Sequence, residues 1–219
     1  MSTAIKLDFV SDVSCPWCAI GLQSLLAALA ALRGGVDATL HFQPFELNPD
    51  LAPGGEDIAA HLMRKYGSTP AQFAHSQELI RERGAQLGFH FDMQRRTRIY
   101  NTFDAHRLLH WAGLEGRQLE LKQALFRAYF SDGADPSDHA TLVRLASQAG
   151  LDAAMAQQIL ASDRYAAAVR EREQFYARLG INAVPAVIVN DRHLIEGGQP
   201  VAVFEQILRQ LAPASPLPA

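Results

Sequence analysis

Hydrophobic and polar residues alternate near the start of the chain and then recur at helical spacing. The alternation over residues 5–10 predicts a short β-strand. From Pro16 onward, leucine and isoleucine recur at helical spacing until the Gly34-Gly35 pair, which predicts a helix that ends there. Residues 38–45 predict a second strand, so the chain is expected to begin with a β-α-β unit.

Strand patterns return only towards the C-terminus, after a predicted helix at residues 164–179. A buried apolar strand is predicted directly after the Val184-Pro185 pair, and a hairpin and a closing helix over residues 201–211 follow it. The tail over residues 212–219 is rich in proline and is predicted to be disordered.

The middle of the chain, residues 56–163, has a different pattern. Apolar positions recur there at helical spacing between glycines, and almost no strand pattern is present. We therefore predict an inserted helical domain at residues 56–163. Residues 1–55 and 164–219 would then form one domain together, because the strand patterns lie only in those two segments.

Composition narrows the classes of function. The 219 residues are 48% hydrophobic, which is enough for one large core or two modest ones. The formal net charge is -3 and like charges do not cluster, which argues against a nucleic-acid surface and favours protein or small-molecule partners. The N-terminus has one lysine and no long apolar stretch. Neither a signal peptide nor a membrane span is therefore predicted, and a cytoplasmic location is expected.

The only two cysteines, Cys15 and Cys18, are separated by two residues at the start of the first predicted helix. This spacing suits a redox dithiol, because a close pair can pass between dithiol and disulfide through a mixed disulfide with a client. A sulfur at a helix N-terminus faces unpaired backbone N–H groups and the positive end of the helix dipole, which favours a thiolate. Pro16 suits the first helical position, where its missing N–H would have no intrahelical partner.

Two structural roles compete with the redox role of the cysteine pair. A zinc site needs two further ligands, and the best candidates are His106 and His110, four positions apart on a predicted helix. They lie much farther from the cysteines in sequence than in common zinc-finger patterns, so no metal site is expected. A structural disulfide between Cys15 and Cys18 would close a very short loop, where a disulfide stabilises least.

Several segments spread along the chain resemble one protein family. They are SDVSCPWCAIG at residues 11–21, PFELNP at 44–49, NTFDAHR at 101–107, HWA at 110–112, ALFRAYF at 124–130 and Val184-Pro185. Together with the order of predicted elements, they resemble the DsbA family and, within it, the FrnE-like branch. Its relatives, the kappa-class glutathione transferases and 2-hydroxychromene-2-carboxylate isomerases, usually carry serine where this chain has Cys15. The intact dithiol therefore favours the redox branch.

The resemblance implies a thioredoxin-like α/β fold with a large all-helical insertion. It implies that Cys15 is the more exposed nucleophile and that Cys18 is the resolving thiol. It also implies a cis-proline at Pro185, whose loop presents the backbone of Val184 to an extended substrate segment. The other residues predicted to bind substrate are Pro16, Trp17, Asn101, His106, Gly198 and Gln199.

Two pairs among these residues have specific expected positions. Asn101 and His106 are expected to line a groove above the dithiol, although a lone helical histidine more often has a surface or core role. Gly198 and Gln199 precede the last predicted helix, where the relatives place glutathione. Backbone N–H groups at that point can hold a carboxylate, and an ordinary helix start is the alternative.

We therefore predict a protein disulfide oxidoreductase that exchanges disulfides with protein clients or small thiols. No metal or organic cofactor is expected, glutathione is a candidate co-substrate, and the chain is expected to be a monomer or a homodimer. The alternative is a glutathione-dependent transferase or isomerase of the kappa or 2-hydroxychromene-2-carboxylate isomerase type, in which Cys15 alone activates a small molecule. A third hypothesis is a non-enzymatic module whose insertion binds a partner while the dithiol senses redox state.

Overall fold

A computed structural model describes residues 5–52 and 54–211. Within these residues the strands are Ile5–Ser11 (β1), Ala38–Pro44 (β2), Glu56–Asp57 (β3), Arg98–Ile99 (β4), Ala186–Val189 (β5) and His193–Glu196 (β6). The helices are Pro16–Ala31 (α1), Ile58–Tyr66 (α2), Pro70–Gln86 (α3), Phe103–Leu114 (α4), Gln118–Phe130 (α5), His139–Gln148 (α6), Ala153–Leu160 (α7), Ala166–Arg178 (α8) and Val201–Leu211 (α9). The tail predicted to be disordered, residues 212–219, lies outside the described residues.

The central sheet has the strand order β2-β1-β5-β6 and joins both ends of the described chain. β1 runs parallel to β2 and antiparallel to β5, so it is an interior strand and nearly all of its side chains are buried. β5 follows directly after Val184-Pro185 and pairs with β1, with Phe9 opposite Val187. The prediction that both ends of the chain build one sheet is confirmed.

The sheet and helices α1 and α9 share one hydrophobic core. Phe9 of β1, Leu22 and Leu25 of α1 and Phe204 of α9 are all buried in it. Phe130 of α5 belongs to the same core, so the inserted segment packs directly on the part of the fold that carries the cysteines. This packing is what places α5 next to the dithiol loop.

Helices α4 to α7 build a second core, and α5 contributes to both cores. Leu121 and Leu125 of α5 face the second core, whereas Phe126 and Phe130 face the first. The thioredoxin-like fold with a helical insertion is thus confirmed. The division into two domains at residue 56 and residue 164 stays a prediction.

The insertion was predicted to be all-helical. It is not, because β3 and β4 form a short antiparallel ladder within it. Each strand has only two residues, which is too few for an alternating pattern to be visible in the sequence. Asp57 also caps α2, since its side chain accepts a hydrogen bond from the N–H of Ala60 at 2.8 Å. The ladder therefore ties the start of α2 to the segment that precedes α4.

Candidate active site

Cys15 lies immediately before α1 and caps the helix. Its Sγ accepts a hydrogen bond from the backbone N–H of Cys18 at 3.3 Å, as an N-cap side chain does. Pro16 is the first residue of α1, where the absence of an N–H leaves no intrahelical bond unmade. The sulfur of Cys15 therefore lies beside the partial positive charge of the helix N-terminus, which can stabilise negative charge on it.

Cys18 lies one turn inside α1 and is completely buried, whereas Cys15 is 4% exposed. Burial is the main reason that the pKa of the Cys18 thiol is raised well above its usual value, and its contact with Cys15 raises it further. The positive charge of Lys122 partly opposes this rise. Cys18 is therefore a protonated thiol at neutral pH, and it must lose a proton before it can attack a disulfide.

Asp12 fixes the loop that carries the dithiol. Its Oδ1 accepts a hydrogen bond from the N–H of Ser14 at 3.0 Å, and its Oδ2 accepts one from the N–H of Leu47 at 2.6 Å. The Nε2 atom of His106 lies 3.8 Å from Oδ1, which is close enough for charge attraction. Burial by itself would raise the pKa of Asp12, but His106 and the two backbone N–H groups outweigh it and lower that pKa. Asp12 therefore remains ionised beside the dithiol.

A cleft of about 270 Å³ opens at Cys15. Helices α2 and α3 line it, together with Pro16, Trp17 and Val184. The thiol of Cys15 donates a weak hydrogen bond to the carbonyl oxygen of Val184 at a distance of 3.7 Å. The peptide bond between Val184 and Pro185 is cis. The structure thus brings together Cys15 and three of the residues that the sequence predicts to bind substrate.

Arg96 also lines this cleft and was not identified from the sequence. It is buried, and its Nη2 donates a hydrogen bond to the carbonyl oxygen of Ser14 at 3.3 Å. The guanidinium group lies 5.1 Å from the ring centroid of Tyr129 and 5.0 Å from that of Phe130. Arg96 therefore supports the residue before Cys15 and brings a positive charge to the cleft.

Gly198 and Gln199 lie against the first turn of α1, beside the cleft rather than in its lining. A Cβ atom on Gly198 would lie 3.0 Å from the carbonyl oxygen of Trp17, so glycine is what allows this close approach. The side chain of Gln199 donates a hydrogen bond to the carbonyl oxygen of Glu196 at 2.7 Å. Both residues line a separate groove of about 370 Å³ with Trp17 and Arg83. Their role in substrate binding stays a prediction.

Asn101 and His106 are not among the described residues that line the cleft. Asn101 donates a hydrogen bond to the carbonyl oxygen of Pro49 and accepts one from the N–H of Phe103, both at 2.9 Å, so it fixes the start of α4. His106 is buried next to Asp12 and lines a different cavity, of about 410 Å³. Both were expected above the dithiol because they lie in a family-like segment, which does not reveal which distant element a side chain meets. Their role in substrate binding stays a prediction.

Lys122 is a fully buried residue near the dithiol that the sequence analysis missed. It precedes Phe126 by four positions and Tyr129 by seven in α5, so it lies in the apolar stripe of that helix. A lysine within such a stripe is the pattern that could have identified it. Burial lowers the pKa of Lys122 to about 8, while the carboxylate of Asp12 and, once it is ionised, the thiolate of Cys18 act in the opposite direction.

The structure also locates the two histidines considered as zinc ligands. His106 faces Asp12, and the ring centroid of His110 lies 5.1 Å from that of Tyr165. The described residues contain no group of three or more His, Cys, Asp or Glu side chains that could hold a metal ion. In the same part of the chain, no helix is long and apolar enough to cross a membrane.

Comparison with known proteins identifies the family. Residues 6–209 match the family described as the DSBA-like thioredoxin domain. The chain belongs to this family. A solved DSBA-like structure, the probable DsbA oxidoreductase SCO1869 from Streptomyces coelicolor, is 34% identical, with a TM-score of 0.87 over 94% of this chain and 89% of that chain. The predicted resemblance to the DsbA family is confirmed.

Two solved structures of lower identity share the DSBA-like fold. The cytosolic disulfide reductase DsbM from Pseudomonas aeruginosa, with GSH, is 19% identical, with a TM-score of 0.63 over 94% of this chain and 98% of that chain. A 2-hydroxychromene-2-carboxylate isomerase is 15% identical, with a TM-score of 0.70 over 94% of this chain and 95% of that chain. At these identities the likeness concerns the fold alone.

Proposed function

We propose that this DSBA-like protein is a thiol–disulfide oxidoreductase that exchanges disulfides with protein clients or small thiols. The observation that carries the proposal is the relation between Cys15 and Cys18. Cys15 caps α1 and opens into a cleft, whereas Cys18 is buried one turn behind it. Such a pair suits a division of work, with one sulfur bonding the client and the other releasing it.

The exchange needs only sulfur chemistry. The thiolate of Cys15 attacks one sulfur of a client disulfide, the S–S bond breaks, and the other client sulfur leaves as a thiolate. Cys18 then loses its proton and attacks the Sγ atom of Cys15, which releases the second client thiolate. The client has gained two electrons and Cys15–Cys18 has become a disulfide. The reverse sequence oxidises a client dithiol, and no metal or organic cofactor is required in either direction.

The cleft suits a client segment in this proposal. An extended peptide would pair with the backbone of Val184, and Pro16 and Trp17 would supply apolar contacts to it. Pro185 packs closely against α1 next to this backbone. A Cβ atom added to Gly21 of α1 would lie 3.2 Å from the Cγ atom of Pro185. Glycine at position 21 therefore allows α1 to pack closely against the proline loop.

The relatives support the proposal. The protein from Streptomyces coelicolor, described as a probable DsbA oxidoreductase, is similar over nearly the whole chain. We further propose glutathione as a co-substrate and a cytoplasmic location; DsbM, which shares the fold, is a cytosolic disulfide reductase described with GSH. We assign the chain to the FrnE-like branch on six segments spread along most of the chain, at residues 11–21, 44–49, 101–107, 110–112, 124–130 and 184–185.

Equilibration with glutathione tests the proposal directly. In mixtures of reduced and oxidised glutathione, the fraction of protein with a Cys15–Cys18 disulfide should rise smoothly with the oxidised fraction. Mass spectrometry after acid quenching and alkylation measures that fraction and gives the reduction potential, which decides the favoured direction of exchange. A dithiol that stays reduced or stays oxidised across all mixtures would contradict the proposal.

We also expect Cys15 to be alkylated before Cys18 in the native reduced protein. Cys15 opens into the cleft at the start of α1, while Cys18 is fully buried and has a raised pKa. Peptide mapping after a limiting amount of iodoacetamide identifies the modified sulfur. Alkylation in denaturant is the control, because both thiols should then react alike. Preferential modification of Cys18 in the native protein would reverse the assigned roles.

The second candidate function is a glutathione-dependent isomerase or transferase that uses Cys15 alone. The fold shared with 2-hydroxychromene-2-carboxylate isomerase favours it. In that case the Cys18→Ser variant should retain turnover of a small aromatic substrate in the presence of glutathione. Loss of disulfide exchange without any such turnover would leave the oxidoreductase as the better assignment.

A further inference from the structure

Lys122 is a buried cation, and its Nζ atom has no hydrogen-bond partner among the described residues. The Nζ atom lies 4.8 Å from the ring centroid of Phe126. An unpaired charge is costly to bury, and an apolar side chain of similar size would suit the same position better. The adjacent Leu121 and the nearby Leu125 show that α5 is otherwise apolar here. Packing alone therefore does not explain a lysine at this position.

The position of α5 is fixed by contacts with the central sheet. Gln118 accepts a hydrogen bond from the N–H of Phe42 at 2.9 Å and donates one to the carbonyl oxygen of Phe42 at 3.0 Å. Lys122 lies four positions after Gln118, so it is on the same face of the helix. Lys122 also lines the 410 Å³ cavity together with His106, which faces Asp12. These contacts hold the lysine in a cavity beside His106, whose imidazole lies against Asp12 of the dithiol loop.

The charged groups around Lys122 fall into two sets. Three groups raise its pKa when they are ionised, and these are, in order of size, the thiolate of Cys18, the carboxylate of Asp12 and the thiolate of Cys15. On the cavity side, the titratable or charged residues are His41, His106, His110 and Arg172. The sulfurs and Asp12 favour the ammonium form of Lys122. Burial favours the neutral amine.

Asp12 and Lys122 are two candidate acceptors for the proton of Cys18. Asp12 is a weak base, because both of its carboxylate oxygens already accept hydrogen bonds and its pKa is lowered. The amino group of Lys122 has no hydrogen-bond partner among the described residues and a pKa of about 8, which is much closer to that of a thiol. Proton transfer is most effective when the acceptor has a pKa near the working pH, so Lys122 is the better acceptor.

We propose that Lys122 accepts the proton of Cys18 when Cys18 attacks the mixed disulfide. This inference rests on the proposed exchange at Cys15 and Cys18. Because Nζ is not within direct hydrogen-bond distance of a described group, the proton moves from the Sγ of Cys18 to the Nζ of Lys122 through one bridging water. The new thiolate of Cys18 then attacks the Sγ of Cys15. The bond between Cys15 and the client sulfur breaks, its electron pair leaves with the client, and a Cys15–Cys18 disulfide forms. The client thiolate takes a proton from the solvent, and the ammonium later returns its proton to the solvent.

Two-phase kinetics with an aromatic disulfide that releases a coloured thiolate can test this inference. The first release reports attack by Cys15, and the second reports attack by Cys18. We expect Lys122→Met to slow the second phase about 100-fold near neutral pH, the size expected for loss of a general base. The first phase should be unaffected. Lys6→Met is the matched control, because Lys6 pairs with Asp191 at the other end of β1 and both phases should stay at the wild-type rate.

The pH profile separates proton acceptance from a structural effect. The wild-type second phase should follow a titration near the Lys122 pKa of about 8, whereas in Lys122→Met it should rise only at higher pH and approach the wild-type rate there. Lys122→Arg keeps a positive charge but cannot accept a proton, so it should be as slow as Lys122→Met. A wild-type rate in Lys122→Arg, or equal second phases in wild type and Lys122→Met, would overturn the inference. Absence of the first phase in the wild type would instead overturn the proposed function.

Discussion

Cys18→Ser should leave the protein covalently attached to its clients, whereas the wild type releases them. In the wild type, Cys18 attacks a mixed disulfide on Cys15 within the same chain, at an effective concentration far above that of any free thiol. Cys15 caps α1 and Cys18 lies in its first turn, with the backbone nitrogen of Cys18 3.3 Å from the Sγ of Cys15. The chain has no third cysteine to replace Cys18. The mixed disulfide should therefore persist until an external thiol arrives.

Non-reducing gels after mixing with client extracts measure this difference, and each adduct band should disappear on reduction. Cys15→Ser is the matched control, since it keeps one cysteine of the pair but removes the nucleophile, and it should form few adducts. Equal adduct levels in the two variants would contradict the assigned roles of the sulfurs. If neither variant forms adducts and the wild type binds glutathione tightly, the isomerase or transferase assignment becomes the better one.

Lys122→Met should raise the free energy of unfolding by about 3 kcal/mol near neutral pH. The Lys122 ammonium has a pKa of about 8 in the folded protein and about 10.5 when unfolded. Below pH 8 both states hold the proton, and the folded state carries the full cost of the buried charge. Between about pH 8 and 10.5 the unfolded state binds more protons, so wild-type stability rises with pH in that window. At 1.36 kcal/mol for each pKa unit, the cost at neutral pH is about 3 kcal/mol.

Urea denaturation of wild type and Lys122→Met across this pH range measures the difference in the free energy of unfolding. The advantage of Lys122→Met should be largest at and below neutral pH and should shrink above pH 8. Leu125→Met is a control for the new side chain in α5, and its small effect should not depend on pH in this range. If Lys122→Met proves less stable than wild type near neutral pH, the ammonium makes stabilising contacts and the expected sign is wrong.

The two experiments on Lys122 together test whether the role of this residue is purely structural. A residue needed only for packing would lower both stability and the rate of exchange when it is replaced. Lys122→Met is expected to raise stability and to slow the release of clients. Opposite changes in one variant would show that this fold keeps a buried charge next to Cys18 at the expense of stability.

Local patterns in the sequence were sufficient for the elements that carry the dithiol. The strand at Ile5–Ser11, the helix that begins at Pro16 and the strand after Pro185 follow from alternation, helical spacing and helix capping, all of which act over a few residues. The spacing of Cys15 and Cys18 is also a feature of only a few neighbouring residues, so it indicated redox chemistry from the sequence alone. Segments distributed along the whole chain indicated the family.

The tertiary structure alone decided which distant residues meet at the dithiol. The ladder between β3 and β4 has too few residues to leave a pattern, and its two strands lie far apart in the chain. His106 meets Asp12, and Lys122 is buried in a helix that contributes to both cores, because α4 and α5 pack against the sheet. Burial and charge contacts depend on how elements distant in sequence pack together, whereas sequence periodicity reports only the face of its own helix or strand.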